Sequence, residues 1–348
     1  MNNIVNRLFR EVDLKDPFFQ SLREDYADFD SWFQRKQDEN AYVQYDFQHR
    51  ITGFLYLKVE KGIVDDVTPG IVEDRVLKVG TFKIDAHGTK MGEQFVKIIL
   101  DRAVEENVDA CYVTIYQKHN TLIELIQHFG FELYGKKGRG KFEENVYLKR
   151  MKNISGDINK DFPYINIYGV KKYLLSIYPK YHSVMFPDSI LKTESKDIIT
   201  DVSYTNSIHK IYVCTMDQVE NLKYGDILVL YRTAEEGKTA EYSAVATTIC
   251  VVESVKHQNA FESFDAFYEY ASRYSVFDKR DLCFWYNKGR CKTIKMTYNA
   301  ALKKRIVRHD LIEKVGLGRD NYWGFFELTD EQFKKIVHNG NISNILKS

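Results

Sequence analysis

The chain has 348 residues, 44% apolar and 28% charged, with a formal net charge of +1. That length suits two domains with separate cores, and the composition is that of an ordinary soluble globular protein. A near-zero charge gives no whole-chain electrostatic argument for or against nucleic acid. Five scattered cysteines without CxxC spacing argue against a zinc knuckle and a secreted disulfide framework, and fit reduced thiols in a cytoplasmic protein. The opening MNNIVNRLFREVDL lacks the apolar core of a signal peptide, and no apolar run is long enough to predict a membrane span.

Residues 3–38 are predicted helical, from apolar spacing at Leu8 and Val12 and then at Phe29, Trp32 and Phe33. AYVQYD and RITGFLYLKVEKG alternate or run apolar on either side of Phe47-Gln48-His49, the pattern of a hairpin. GIVDDVTPGIVED reads as a loop and RVLKVGTFKID as the next strand. The stretch from Val76 to Tyr134 is the most informative. It runs as strand, polar turn HGTKMG, amphipathic helix EQFVKIILDRAVEENV, strand DACYVTIYQ, short helix, then a strand after Gly130-Phe131. A strand feeding a glycine-containing turn that opens a helix makes a phosphate cradle. The first helical N–H groups lack internal partners, and the dipole there is positive. With ENVYLKRM closing the series, residues 1–152 read as an α/β domain.

MKNISGDINKDFPY is polar and turn-rich, and predicts a linker over 153–165. From 166 to 348 the pattern changes to short β-rich segments: IHKIYVCT, GDILVLYR, SAVATTICVVESV, TIKMTYNAALKKRI and NYWGFFELT. With the helical insertion SFDAFYEYASRYS among them, they predict a small β-barrel or α+β domain.

Over about residues 30–150 the order of elements resembles the GNAT family of acetyl-coenzyme A-dependent N-acyltransferases. The family turn, Arg/Gln-x-x-Gly-x-Gly/Ala, is matched by His87-Gly88-Thr89-Lys90-Met91-Gly92. The last glycine agrees, His87 stands in place of Arg or Gln, and Lys90 in place of the middle glycine. Asn120 matches the Asn that opens the next helix, and Gly130-Phe131 the family Gly-Phe. Ile126 occupies the position of a Tyr that often protonates the leaving thiolate.

The resemblance implies an α/β GNAT fold, a mixed sheet flanked by helices, with acetyl-coenzyme A as cosubstrate and no metal. The cosubstrate would be held by His87, Gly88, Thr89, Lys90, Met91, Gly92 and Asn120, and by the main chain of Gly80–Ile84, including Phe82 and Ile84. It implies a general base at the entrance of the fourth strand, Glu73 or Asp74. With Ile126 in the usual place, Tyr134, Tyr116, His128 or water is left to protonate the thiolate. Taken singly, these residues allow other readings. Lys90 is a phosphate cation or a solvated first-turn lysine, and His87 a phosphate donor or an exposed side chain. Glu73 and Asp74 are a base or a solvated acidic pair. Asn120 is an arm-binding amide or a helix N-cap.

In the second half, Tyr224-Gly225-Asp226-Ile227 runs into a strand, SAVATTICVVESV follows, and Tyr322-Trp323-Gly324 precedes FFELTDEQFKKI. Over about 205–340 this resembles PUA-like folds, including the ASCH group, which implies an α+β PUA-like β-barrel recognition module for RNA or modified bases. Lys288 and Arg290 lie beside Trp285 and Tyr286, and Lys303, Lys304, Arg305 and Arg308 form a second basic run. Cations interleaved with aromatics supply phosphate contacts and base stacking. Mixed charge throughout also fits a solvated face over a barrel. Together these readings predict a cytoplasmic N-acetyltransferase acting on an amine acceptor, with a C-terminal module that binds RNA or a ribonucleoprotein. The alternative is a catalytically degenerate GNAT domain that binds coenzyme A or a partner, beside an RNA-binding barrel.

Overall fold

A computed structural model describes residues 4–85, 88–191, 194 and 202–347. The chain forms two compact units, the first ending at Ile154 and the second beginning at Ser155.

The first unit holds seven strands: β1 (Ile4–Leu8), β2 (Asn40–Tyr45), β3 (Ile51–Lys61), β4 (Arg75–Ile84), β5 (Ala110–Ile115), β6 (Glu132–Lys137) and β7 (Glu144–Arg150). They form one sheet in the order β1-β2-β3-β4-β5-β7-β6. Only β4 and β5 run parallel, the other neighbours being antiparallel. A parallel pair needs a crossover, and helix α3 (Met91–Glu105) supplies it. Phe95, Val96, Ile99, Leu100 and Ala103 of α3 are fully buried at its sheet-facing stripe.

Two layers flank the sheet. A Cβ on Gly53 would lie 2.7 Å from the Phe95 ring of α3, whereas Phe54 packs against Phe9, Phe19 and Phe33. Successive strand residues point to opposite faces. The aromatic cluster built by α1 (Gln20–Asp25) and α2 (Phe29–Arg35) therefore lies on the face away from α3. Helix α4 (Asn120–His128) shares the α3 face, since a Cβ on Gly92 of α3 would meet Leu125 of α4 at 2.7 Å.

The prediction of continuous helix over 3–38 needs correction. Ile4–Leu8 is an edge strand paired with β2, and only two short helices follow. Leu8 and Val12, read as one helical face, belong to the end of that strand and to the turn after it. The spacing of Phe29 and Phe33 holds, and both are buried on α2.

The second unit is built on a six-stranded sheet in the order β10-β13-β12-β11-β9-β14. Its strands are β9 (Lys172–Ile177), β10 (His209–Cys214), β11 (Ile227–Arg232), β12 (Val245–His257), β13 (Lys292–Val307) and β14 (Phe325–Leu328). The short strands β8 (Ile165–Asn166) and β15 (Leu346–Lys347) pair with each other. Helices Phe264–Ser272 and Lys279–Asn287 cover a core of Leu230, Cys250, Val252, Phe267, Leu282 and Ile294. A β-barrel was the expectation. The pairing is open instead: β10 and β14 end the sheet, and no ladder joins them among the described residues.

The turn into β11 matches the predicted Tyr-Gly-Asp entry. Gly225 takes a φ of 88°, and the buried Asp226 carboxylate accepts from the Lys171 N–H at 2.9 Å and the Lys223 N–H at 2.8 Å. Within 153–165, read as linker, Ser155 already belongs to the second unit. The Asp161 carboxylate accepts from the Ser155 and Gly156 N–H groups.

Candidate functional site

The centre of the first unit is a fork between its two parallel strands. β4 and β5 pair from Val76 with Ala110 to Val79 with Val113, then part, although β4 continues to Ile84 and β5 to Ile115. Gly80 stands at the point of parting. The β3–β4 register slips there, between Tyr56 and Leu57, and a Cβ on Gly80 would lie 2.6 Å from the Tyr56 ring. Only glycine lets β3 stay packed while β4 swings away. Beyond the fork, Gly80 is the bulged residue, Thr81–Ile84 keep β3 as a partner, and no described strand pairs their other edge.

β4 leads into the turn that opens α3. Gly88 has φ 81°, and a Cβ there would meet nothing within 4 Å, so the turn backbone faces open space. Lys90, just before the helix, has φ 60°. That is the left-handed conformation for which glycine is the usual residue, so the turn keeps a glycine geometry at a position occupied by lysine. The Lys90 ammonium lies 3.3 Å from the Glu93 carboxylate. His87 lies outside the described residues.

The remaining residues expected at the coenzyme site take different places. The Phe82 ring lies 5.9 Å from that of Phe95, and the Ile84 side chain approaches Gly92. Met91 is buried. Gly92 faces Leu125 rather than the open turn, which makes it a helix-packing glycine. Asn120 is the exposed first residue of α4; the N-cap is His119.

Glu73 and Asp74 stand at the foot of β4, roughly 20 Å along the strand from the fork. The Glu73 carboxylate accepts from the Arg150 guanidinium at 3.1 Å, and Asp74 is exposed. The Tyr134 hydroxyl donates to the Gly70 carbonyl at 2.7 Å, and its ring packs against the core cluster that contains Val76, Tyr112 and Val146. Ile126 is a core residue of α4. The structure therefore places Phe82, Ile84, Gly88 and Lys90 along the fork and turn, holds Glu73 and Tyr134 in other contacts, and leaves Asp74 exposed at the foot of β4.

Sequence reasoning missed a carboxylate. Glu144, the first residue of β7, is 7% exposed, and its Oε1 accepts from the Tyr26 hydroxyl at 2.6 Å. The Tyr26 ring lies 5.4 Å from that of Tyr116, which follows β5. Burial, and then the Glu144 charge, raise the Tyr26 pKa. A signal was present in the sequence: Glu144 is in phase with Val146 and Leu148, both core residues, so the alternation of β7 puts a carboxylate where an apolar residue belongs.

In the second unit the two basic runs are separated by the length of a strand. Lys288 and Arg290 precede β13, and Lys303, Lys304, Arg305 and Arg308 lie at its far end, roughly 35 Å away at strand rise. Lys288 packs over Phe284 and Trp285 at 4.2 and 4.5 Å. Lys303 and Lys304 are exposed. Arg305 donates to the carbonyls of Leu302 and Asp188, and Arg308 lies 4.3 Å over the Trp323 ring. Among the described residues, no three His, Cys, Asp or Glu side chains are grouped to hold a metal, and no helix is long and apolar enough to cross a membrane.

No family model matches the chain, and no curated protein matches it. Among solved structures, the chain is similar to two groups, each over about half its length. An ASCH protein from Zymomonas mobilis is 8% identical and covers 48% of this chain and 94% of its own, at a TM-score of 0.34. A GNAT-family acetyltransferase from Streptococcus agalactiae is 14% identical and covers 44% of this chain and 100% of its own, at 0.30. Another from Listeria monocytogenes is 14% identical and covers 42% and 94%, at 0.31.

Proposed function

We propose that the first unit is an N-acyltransferase that moves an acetyl group from acetyl-coenzyme A to an amine. The observation that carries this reading is the fork: β4 and β5 separate after Val79 and Val113, beside a turn that faces open space. The free edge of Gly80–Ile84 offers alternating N–H and C=O groups to the amides of an extended arm. The turn at Gly88 and the N-terminus of α3 offer N–H groups and a positive dipole end to the pyrophosphate. Phe82 and Ile84 give the arm an apolar wall. These features fit the coenzyme, and the cosubstrate supplies the acyl group already activated as a thioester. The contribution of the chain is to hold that thioester still.

The commitment of the Tyr134 hydroxyl to Gly70 and the core position of Ile126 support a mechanism without a dedicated tyrosine acid. A coenzyme A thiolate is a good leaving group, so water suffices to protonate it. The test is thiol release from acetyl-coenzyme A in the presence of a panel of amines. Release above the amine-free rate supports the reading, and none across the panel opposes it.

For the second unit we infer a recognition role, with the exposed Lys303 and Lys304 as the surface on which the phosphates of single-stranded RNA would dock. Anisotropy with a short RNA at several salt concentrations tests this. Changing Lys303 and Lys304 to Ala should flatten the log–log salt slope by about 1.4 if each meets a phosphate.

A further inference from the structure

Glu144 has a property that the acyl-transfer reading leaves unused: it is a nine-tenths buried carboxylate with no cationic partner among the described residues. Among the described residues its one side-chain partner is the Tyr26 hydroxyl, which supplies a hydrogen bond and no charge. A buried charge without a counter-charge is costly, and proteins keep such groups where a ligand completes them.

Its position relative to the fork is specific. The last β5–β7 pair is Ile115 with Asn145, so Glu144 falls beside Tyr116, about 10 Å along β5 from Val113 where the fork opens. Its alternation is that of Val146 and Leu148, which share a cluster with Tyr112. Lys149, of opposite alternation, donates to the Phe129 carbonyl at the end of α4. Glu144 therefore faces away from α3 and α4, on the side of α1. An arm whose phosphates rest on the α3 turn and whose thioester passes through the fork emerges on this face. Neighbouring charges are already matched: Asp25 pairs with Lys118 and lies 3.4 Å from His119, leaving Glu144 as the open one.

We propose that Glu144, held in place by Tyr26, receives the ammonium group of the acceptor and takes its proton, so that the acceptor class is a protonated primary amine. The inference rests on the acyl-transfer reading. In the reaction the proton passes from the ammonium to the Glu144 carboxylate and on to solvent. The freed nitrogen pair forms the C–N bond to the thioester carbon. The C–S bond breaks with its pair on sulfur, which takes a proton from water, and the new amide nitrogen gives its second proton to the hydroxide so formed, so that one proton is released overall. Tyr116 and Tyr26 wall the site with aromatic faces suited to an alkylammonium. Tyr26 is a positioning residue.

The experiment compares the full-length wild type, Glu144→Gln and Tyr26→Phe with acetyl-coenzyme A and three acceptors: spermidine, a lysine-bearing peptide, and a peptide with only a free N-terminal amine. Glutamine can still accept from Tyr26, so the fold should survive, as a melting curve checks. Glu144→Gln is expected to lower kcat/KM by about a hundredfold or more, with acetyl-coenzyme A affinity changed less than about twofold. Tyr26→Phe should lower kcat by about tenfold with KM for the coenzyme unchanged, an effect separable from general loss of fold. Activity of Glu144→Gln close to wild type, or a wild type that binds the coenzyme and acetylates none of the three amines, overturns the inference. A wild type that fails to bind acetyl-coenzyme A overturns the reading beneath it. If Glu144→Gln does not fold, an unaltered kcat in Tyr26→Phe decides against the proposal.

Discussion

Val79 and Val113 are the last residues that join β4 to β5, and the parting of the strands beyond them defines the candidate site. The cause is local. Gly80 follows Val79, and the Tyr56 ring occupies the space that any Cβ at Gly80 would need. The sheet stays continuous through β3 while the other edge of β4 opens.

Gly92 and Leu125 give the first prediction. A Cβ on Gly92 would come within 2.7 Å of Leu125 Cδ2, so Gly92→Ala should overpack the α3–α4 contact and cost about 1–3 kcal/mol. Leu125→Ala opens that space. Urea unfolding of the two single variants and the double variant should give a coupling of at least about 0.5 kcal/mol in the stabilising direction. Strict additivity would mean the two helices do not meet there.

How much of this was legible in the sequence varies by residue. Strands β2 to β7, α3, α4 and the turn were visible, because their periodicity and punctuation agree with the fold. Edge strand β1 was not, because its five residues carry too little pattern against a neighbouring helical rhythm. Gly92 matched the family motif, yet the structure gives its hydrogen-sized side chain a packing reason. Glu144 was hidden because its meaning depends on the β5–β7 register and on Tyr26, a partner distant in sequence.

Lys90 carries the second prediction. At φ 60° a lysine is strained by roughly 1–2 kcal/mol, against which glycine gives back about 0.5–1 kcal/mol of chain entropy. Lys90→Gly should therefore raise stability by about 0.5–1 kcal/mol, and Lys90→Val, β-branched in the same conformation, should lower it. Denaturant midpoints check both signs. A loss on Lys90→Gly would show that the ion pair with Glu93 outweighs the backbone strain.

The third prediction concerns His182, fully buried on the helix Pro179–Met185, with Nε2 2.7 Å from Thr247 Oγ1. Burial, with Arg232 and Arg305 nearby, pushes its pKa down from 6.5 to about 3. The folded form keeps the ring neutral while the unfolded chain takes a proton below its own pKa. Stability is thus fully present above about pH 6.5 and is lost as pH falls toward 3, at about 1.4 kcal/mol per unit. Between pH 7 and pH 5 the wild type should lose about 2 kcal/mol more than His182→Gln, read from urea midpoints. Equal losses would place the ring in contact with solvent.

The most direct test of the central claim is calorimetric titration of the full-length protein with acetyl-coenzyme A, repeated with desulfo-coenzyme A and with Gly80→Val. The account predicts one site per chain for both ligands, since the turn and the free edge of β4 do not need the thiol. It predicts loss of about tenfold or more in affinity for Gly80→Val, where the added side chain collides with Tyr56 and disturbs the fork. No heat of binding with either ligand, or an affinity indifferent to Gly80→Val in a folded variant, would contradict the assignment of the fork as a coenzyme site.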